Sequence, residues 1–231
     1  MLIAGFQKLS MVDFPGRPAA VVFAPYCNMR CWYCHNYQIL SGDVPLIPEE
    51  YVMEYLEKRK NMLGAVVVSG GEPTLRPDLP RFMEKLKAMG YLTKLDTNGT
   101  NPRVVKSLME RNLVDYIAMD IHAPEDKYSE TACVPVDIGS IKQTIDIIMG
   151  GDVDYEFRVT FAPTLDKEDI LKIADMVKGA KAFYLQQYRP VLPRQGERPV
   201  AAMPLSHPPE YLRETAAMVQ ERLGVCELRG L

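Results

Sequence analysis

Short apolar runs alternate with amphipathic stretches along the chain, the pattern of β-α units laid on a parallel sheet. Runs at 19–24, 65–69, 91–96, 115–121, 155–161 and 182–188 predict strands. Between them the apolar spacing becomes helical. Segment 48–61 carries Pro48 in its first turn and Val52, Tyr55, Leu56 and Arg59 at helical intervals. Segment 78–89 starts at Asp78 and Pro80, turns Leu79, Phe82, Leu86 and Met89 inward, and stops at Gly90. Asn101-Pro102 reads as a cap followed by proline at the first helical position, opening 102–112. Ile138, Ile141, Ile145 and Ile148 make one stripe over 138–149. Asp166 caps a helix running to 178, Ser206 opens a last helix to about Leu223, and Val225–Arg229 is a candidate edge strand. The prediction is an α/β fold, a partial (β/α)6 TIM-like barrel with parallel strands, open on one side. A full eightfold barrel takes about 250 residues.

The 231 residues, 47% of them hydrophobic, suffice for one domain, 1–231, with a substantial core. A net charge of −3 gives no electrostatic case for nucleic acid or an anionic membrane. No apolar run approaches the roughly 20 residues that span a bilayer. The first residues lack the basic region of a signal peptide. Clustered cysteines without secretion signals then point to a cytoplasmic protein that binds a metal centre. Segment 189–206, rich in proline and charge, predicts an irregular loop, a candidate lid or binding surface.

The chemistry concentrates in Cys27-Asn-Met-Arg-Cys31-Trp-Tyr-Cys34-His35-Asn36, just after the strand at 19–24. Spacing C-x3-C-x2-C lets three thiolates converge from one loop, and thiolates select iron–sulfur clusters, zinc or copper(I). Closed zinc sites and electron-transfer clusters take four protein ligands. Three cysteines therefore suggest a cluster with one iron open to substrate. The other reading is zinc with His35 or a distant cysteine as fourth ligand. A disulfide would leave an odd thiol. Cys133 and Cys226, far from the loop, are expected to be small buried residues.

With Tyr33 before its last cysteine, the loop resembles the signature of radical S-adenosylmethionine (SAM) enzymes. Asp13-Phe-Pro-Gly-Arg17 together with Cys34-His-Asn36 resembles, more narrowly, the activating enzymes of glycyl-radical enzymes, such as those of anaerobic ribonucleoside-triphosphate reductase and pyruvate formate-lyase. The resemblance implies that Cys27, Cys31 and Cys34 hold a 4Fe–4S cluster and that SAM occupies its open iron. It also implies that Tyr33 packs near the adenine. The implied protein substrate is a glycyl-radical enzyme, and the implied electron donor is reduced flavodoxin or ferredoxin. No cysteine-bearing insertion follows Cys34, so a single cluster is expected.

In α/β barrels working residues sit at the C-terminal ends of strands. Here those ends read Ser69-Gly70-Gly71-Glu72-Pro73, Asp96-Thr97-Asn98-Gly99, Asp120-Ile-His122 and Glu156-Phe-Arg158-Val-Thr160. Alone, the first is a plain strand-exit turn and the second a common Asn-Gly turn. By resemblance, Gly70, Gly71 and Glu72 hold the SAM amino group, while Asp96, Thr97 and Asn98 lie beside SAM. Asp96 and Thr97 could also hold a monovalent cation. Asp120 joins this set, and Arg158 resembles the arginine that reaches the SAM methionyl group. Its structural alternative is a salt bridge to Glu156 or Asp120. Formate-lyase activases carry lysine where this chain has His122, which leaves the grip on the partner open. Tyr188 and Arg189 are candidate wall residues. Two further function classes stay open: a radical-SAM enzyme acting on a small molecule of the deazapurine type, and a non-catalytic iron–sulfur or zinc protein.

Overall fold

In a computed structural model, which describes residues 1–42, 44–190 and 204–231, aliphatic runs form strands close to where the pattern sets them. The strands are β1 (Gly5–Ser10), β2 (Ala19–Ala24), β3 (Ala65–Gly70), β4 (Leu92–Thr97), β5 (Tyr116–Asp120), β6 (Asp154–Phe161), β7 (Phe183–Gln187) and β8 (Glu227–Arg229). The helices are α1 (Glu49–Arg59), α2 (Leu79–Ala88), α3 (Pro102–Glu110), α4 (Tyr128–Thr131), α5 (Ile138–Met149), α6 (Lys167–Met176) and α7 (Pro209–Leu223). The architecture is α/β, mostly parallel and open rather than closed.

Two compact units divide the chain. The first holds Met1–Asn28, Asn36–Met119 and Gly139–Tyr155. In it β2, β3, β4 and β5 pair in parallel, aligning Val21, Val67, Lys94 and Tyr116 in one row. β2 and β3 are almost wholly buried, as strands covered on both faces require. α2 buries Leu79, Phe82, Met83 and Leu86, so Met83 takes a place expected of Met89. The second unit holds Met29–His35, Asp120–Ile138 and Glu156–Leu231. There β6, β7 and β8 pair in parallel, and α6 packs against α7.

Four sequence expectations need correction. β1 escapes the six-strand reading because Gly-Phe-Gln-Lys-Leu-Ser lacks a sustained apolar run. It pairs antiparallel with β2, with Gly5 opposite Phe23 and Ser10 opposite Ala19. Asn101 makes no cap hydrogen bond; its amide Nδ2 donates to the Thr74 carbonyl at 2.9 Å. α7 starts at Pro209, while the Ser206 hydroxyl donates to the Tyr188 carbonyl at 2.8 Å. Cys133 is exposed, on left-handed backbone with φ +54°. Asp166 does cap α6: its side chain accepts the Asp169 N–H at 2.9 Å, and Asp169 returns the bond at 3.0 Å. The edge strand near the C-terminus forms as β8. Residues 191–203 of the expected long loop lie outside the described residues.

Candidate functional site

In the first unit the strand exits of β3 and β4 meet the flanks of the cysteine loop. Gly70 adopts φ +116°, and a Cβ on Gly71 would stand 1.9 Å from the Tyr26 carbonyl oxygen. Only glycine permits that approach. The Gly71 N–H donates to Ala24 at 2.9 Å, and the Glu72 N–H to Tyr26 at 2.7 Å. Past the cysteines, Asn36 Nδ2 donates to the Gly70 carbonyl at 3.0 Å. The strand exit thus grips the chain just before Cys27 and just after His35. The two glycines make room for backbone.

Glu72 is fully buried. Its Oε1 accepts from the Thr74 N–H at 3.0 Å, the Thr74 hydroxyl at 2.5 Å and the Thr97 hydroxyl at 2.9 Å. Its Oε2 accepts the Asn98 N–H at 2.6 Å. Burial raises the carboxyl above its usual range, and these donors pull it partly back. The network extends outward through Asn98. Its Nδ2 lies 2.9 Å from Asn28 Oδ1 and 3.8 Å from Cys27 Sγ, and its Oδ1 accepts the Thr100 hydroxyl at 2.7 Å. Gly99, at φ +77°, turns the chain there. Asp96 points to the same face as Lys94, 3.4 Å from its ammonium.

The second unit holds Cys31 and Cys34. The Cys34 N–H donates to the Cys31 carbonyl at 3.0 Å, a turn that keeps the two cysteines adjacent. The Arg30 N–H anchors that turn on the Ala132 carbonyl at 2.9 Å. Tyr33 is buried against Ala162 and Tyr188, flanked by Cys31 and Trp32. The Tyr33 hydroxyl lies 2.9 Å from His122 Nδ1, and Cys31 Sγ lies 3.9 Å from the same nitrogen. Burial pushes the Tyr33 hydroxyl well above its ordinary value and His122 below its own. Arg158 forks onto Asp120 at 2.9 and 2.7 Å, and comes within 3.7 Å of Glu156. Glu156, fully buried, takes a second fork from Arg229 at 2.9 and 2.8 Å. The ion pair of Arg229 with Glu156 does not follow from the sequence, because nothing local ties a residue near the C-terminus to β6. Asn28 and Thr74 were also passed over, although each adjoins a motif that was read.

All five cysteines are thiols, and Cys27, Cys31 and Cys34 are each half-buried. Cys27 belongs to the first unit, Cys31 and Cys34 to the second. Among the described residues no three His, Cys, Asp or Glu side chains are gathered as a metal site. The donor set itself fits an iron–sulfur cluster: three soft thiols from one loop, with Asn98 and His122 nitrogens near two of the sulfurs.

A family model for the radical SAM superfamily matches residues 21–178. A candidate glycyl-radical enzyme activating enzyme of Methanocaldococcus jannaschii is 36% identical over 195 residues, covering 82% of this chain and 80% of that protein. The pyruvate formate-lyase-activating enzyme of Clostridium pasteurianum is 29% identical over 192 residues, covering 78% and 77%. Among solved structures, Streptococcus suis SuiB bound to S-adenosylmethionine superposes with a TM-score of 0.65 at 16% identity. That superposition covers 91% of this chain and 52% of SuiB, so this chain spans about half of SuiB's length and shares its fold.

Proposed function

Since the chain belongs to the radical SAM superfamily, which implies a 4Fe–4S cluster and SAM, we propose that it is an activating enzyme that installs a glycyl radical on a partner enzyme. The observation that carries this reading is the 36% identity to an activating-enzyme relative, sustained over four-fifths of both chains. The partner is anaerobic ribonucleoside-triphosphate reductase, the electron donor is reduced flavodoxin or ferredoxin, and the setting is the cytoplasm.

Cys27, Cys31 and Cys34 are the thiolates that would hold the cluster, leaving one iron for SAM. Bound and reduced by one electron, cluster and SAM would supply the radical chemistry that removes a hydrogen atom from the partner's glycine, with methionine and 5′-deoxyadenosine as products. The chain's part is placement. Gly70, Gly71 and Glu72 fix both flanks of the cysteine loop to β3 and would hold the SAM amino group. Thr97 and Asn98 are held by the same carboxylate and would serve SAM from the β4 exit; Asp96 with Thr97 would offer oxygens to a monovalent cation. Arg158, oriented by its fork onto Asp120, would serve the methionyl group. Tyr33 and Tyr188 would shield the adenine from water.

Anaerobic reconstitution with iron and sulfide, then reduction with SAM, tests the core of this reading. The expected products are methionine and 5′-deoxyadenosine. A chain that holds a 4Fe–4S cluster yet forms neither would refute it. Incubation with anaerobic ribonucleotide reductase, and separately with pyruvate formate-lyase, then identifies the partner by the glycyl radical signal.

A further inference from the structure

Lys94 is an unexpected residue for its place. It stands in the middle of β4, 2% exposed, in a row with Val21, Val67 and Tyr116. Central positions of a parallel sheet are ordinarily apolar, and a buried ammonium is costly unless paired. Its Nζ donates to the main-chain carbonyl of Asp13 at 2.7 Å and lies 3.4 Å from Asp96 Oδ1. The Tyr116 ring lies below it, 5.5 Å from nitrogen to centroid.

Asp13 opens the turn Asp13-Phe-Pro-Gly16. Phe14, 6% exposed, packs on Val21, Val67 and the Tyr116 ring, 6.0 Å between centroids. The same end of the turn is also held from the N–H side by the Ser10 hydroxyl, which accepts the Val12 and Asp13 N–H groups at 3.2 Å each. Phe14 therefore supplies the apolar burial, and a methionine at 94 would supply as much. What the ammonium adds is directional: it joins one carbonyl of the turn to one carboxylate at the exit of β4.

We infer that Lys94 is a positioning residue, which fixes the Asp13–Gly16 turn and the Asp96 carboxylate against each other. Its effect on SAM rests on the proposed function, in which Asp96 lies beside SAM; its effect on the turn does not.

The test uses the cluster-loaded full chain and its Lys94→Met, Asp96→Asn and double variants. In Lys94→Met, amide exchange at residues 12–17 should accelerate about tenfold, the usual size of a lost hydrogen bond from a charged group. Asp96→Asn should leave that exchange unchanged. KM for SAM should rise about tenfold in Lys94→Met while kcat stays within about twofold, since binding geometry and not chemistry is disturbed. Should Lys94→Met fail to fold, the double variant loses the same latch without stranding a carboxylate, and gives the same exchange readout. Unchanged exchange at 12–17 overturns the inference, and so does a loss confined to kcat. A parent chain that holds its cluster but cleaves no SAM would sink the functional reading, and exchange would still decide the role of Lys94.

Discussion

Glu72 shows how a residue's chemistry can be legible while its place is not. The resemblance, not its place after two glycines, gives it a part in holding SAM, while its carboxylate takes four hydrogen bonds from Thr74, Thr97 and Asn98. Two of those donors, Thr97 and Asn98, stand at the exit of β4, and pairing across strands cannot be read from local sequence. Replacing Glu72 by Ala would strand them, at a cost of about 3 kcal/mol measured by chemical denaturation. The carboxyl also carries a pH signature. Burial holds its folded value above the usual 4.5, so its stabilising contribution is complete below that value. That contribution is lost as pH climbs through the raised value. Relative to the parent, Glu72→Gln should lack this fall in stability across the weakly acidic range. The cysteines divide more simply. Serine at 27, 31 or 34 should lower bound iron and cut 5′-deoxyadenosine formation by about 100-fold or more, given that even outer-shell changes reach that size. Serine at 226 should change neither, because burial pushes that thiol up to about 11 and keeps it inert.

At the level of elements, most strands and helices were readable because aliphatic runs and amphipathic spacing agree with the fold. β1 was not, since an edge strand with exposed Gln7, Lys8 and Leu9 has no buried face to advertise it. Asn101 was misread for a related reason: its side chain prefers a carbonyl of a distant turn to the helix it precedes. The glycines separate local from tertiary demands. Gly71→Ala forces a Cβ onto the Tyr26 carbonyl, so it should displace the cysteine loop and lower cluster loading. Gly90→Ala meets open space and pays only for φ +85°, about 1 kcal/mol. Comparing iron content and melting temperature of the two variants checks this. Asp166→Ala, which removes a reciprocal cap, should cost about 1 kcal/mol and leave iron content alone.

Across the whole molecule, the α/β class and the parallel, open sheet follow from the order of runs and the shortage of strands for a closed barrel. The short edge strand expected at Val225–Arg229 forms over three residues, but its ionic hold on β6, the fork of Arg229 onto Glu156, does not follow from the sequence. Arg229→Met would leave that buried carboxylate to Arg158 at 3.7 Å. A loss of about 3 kcal/mol in denaturation midpoint analysis is expected, and a chain lacking both Glu156 and Arg229 charges (Glu156→Gln, Arg229→Met) should recover much of it. No helix among the described residues is long and apolar enough to cross a membrane.

Gly70, Gly71 and Glu72 grip Asn36, Ala24 and Tyr26 through protein hydrogen bonds. These hold the flanks of the loop without calling on a metal, whereas small metal-folded domains are random coil as apoprotein. Metal-free polypeptide should give the same far-ultraviolet circular dichroism as the loaded form. Filling the cradle would then behave as a docking event with a fixed stoichiometry, reversible by chelation without denaturing the enzyme.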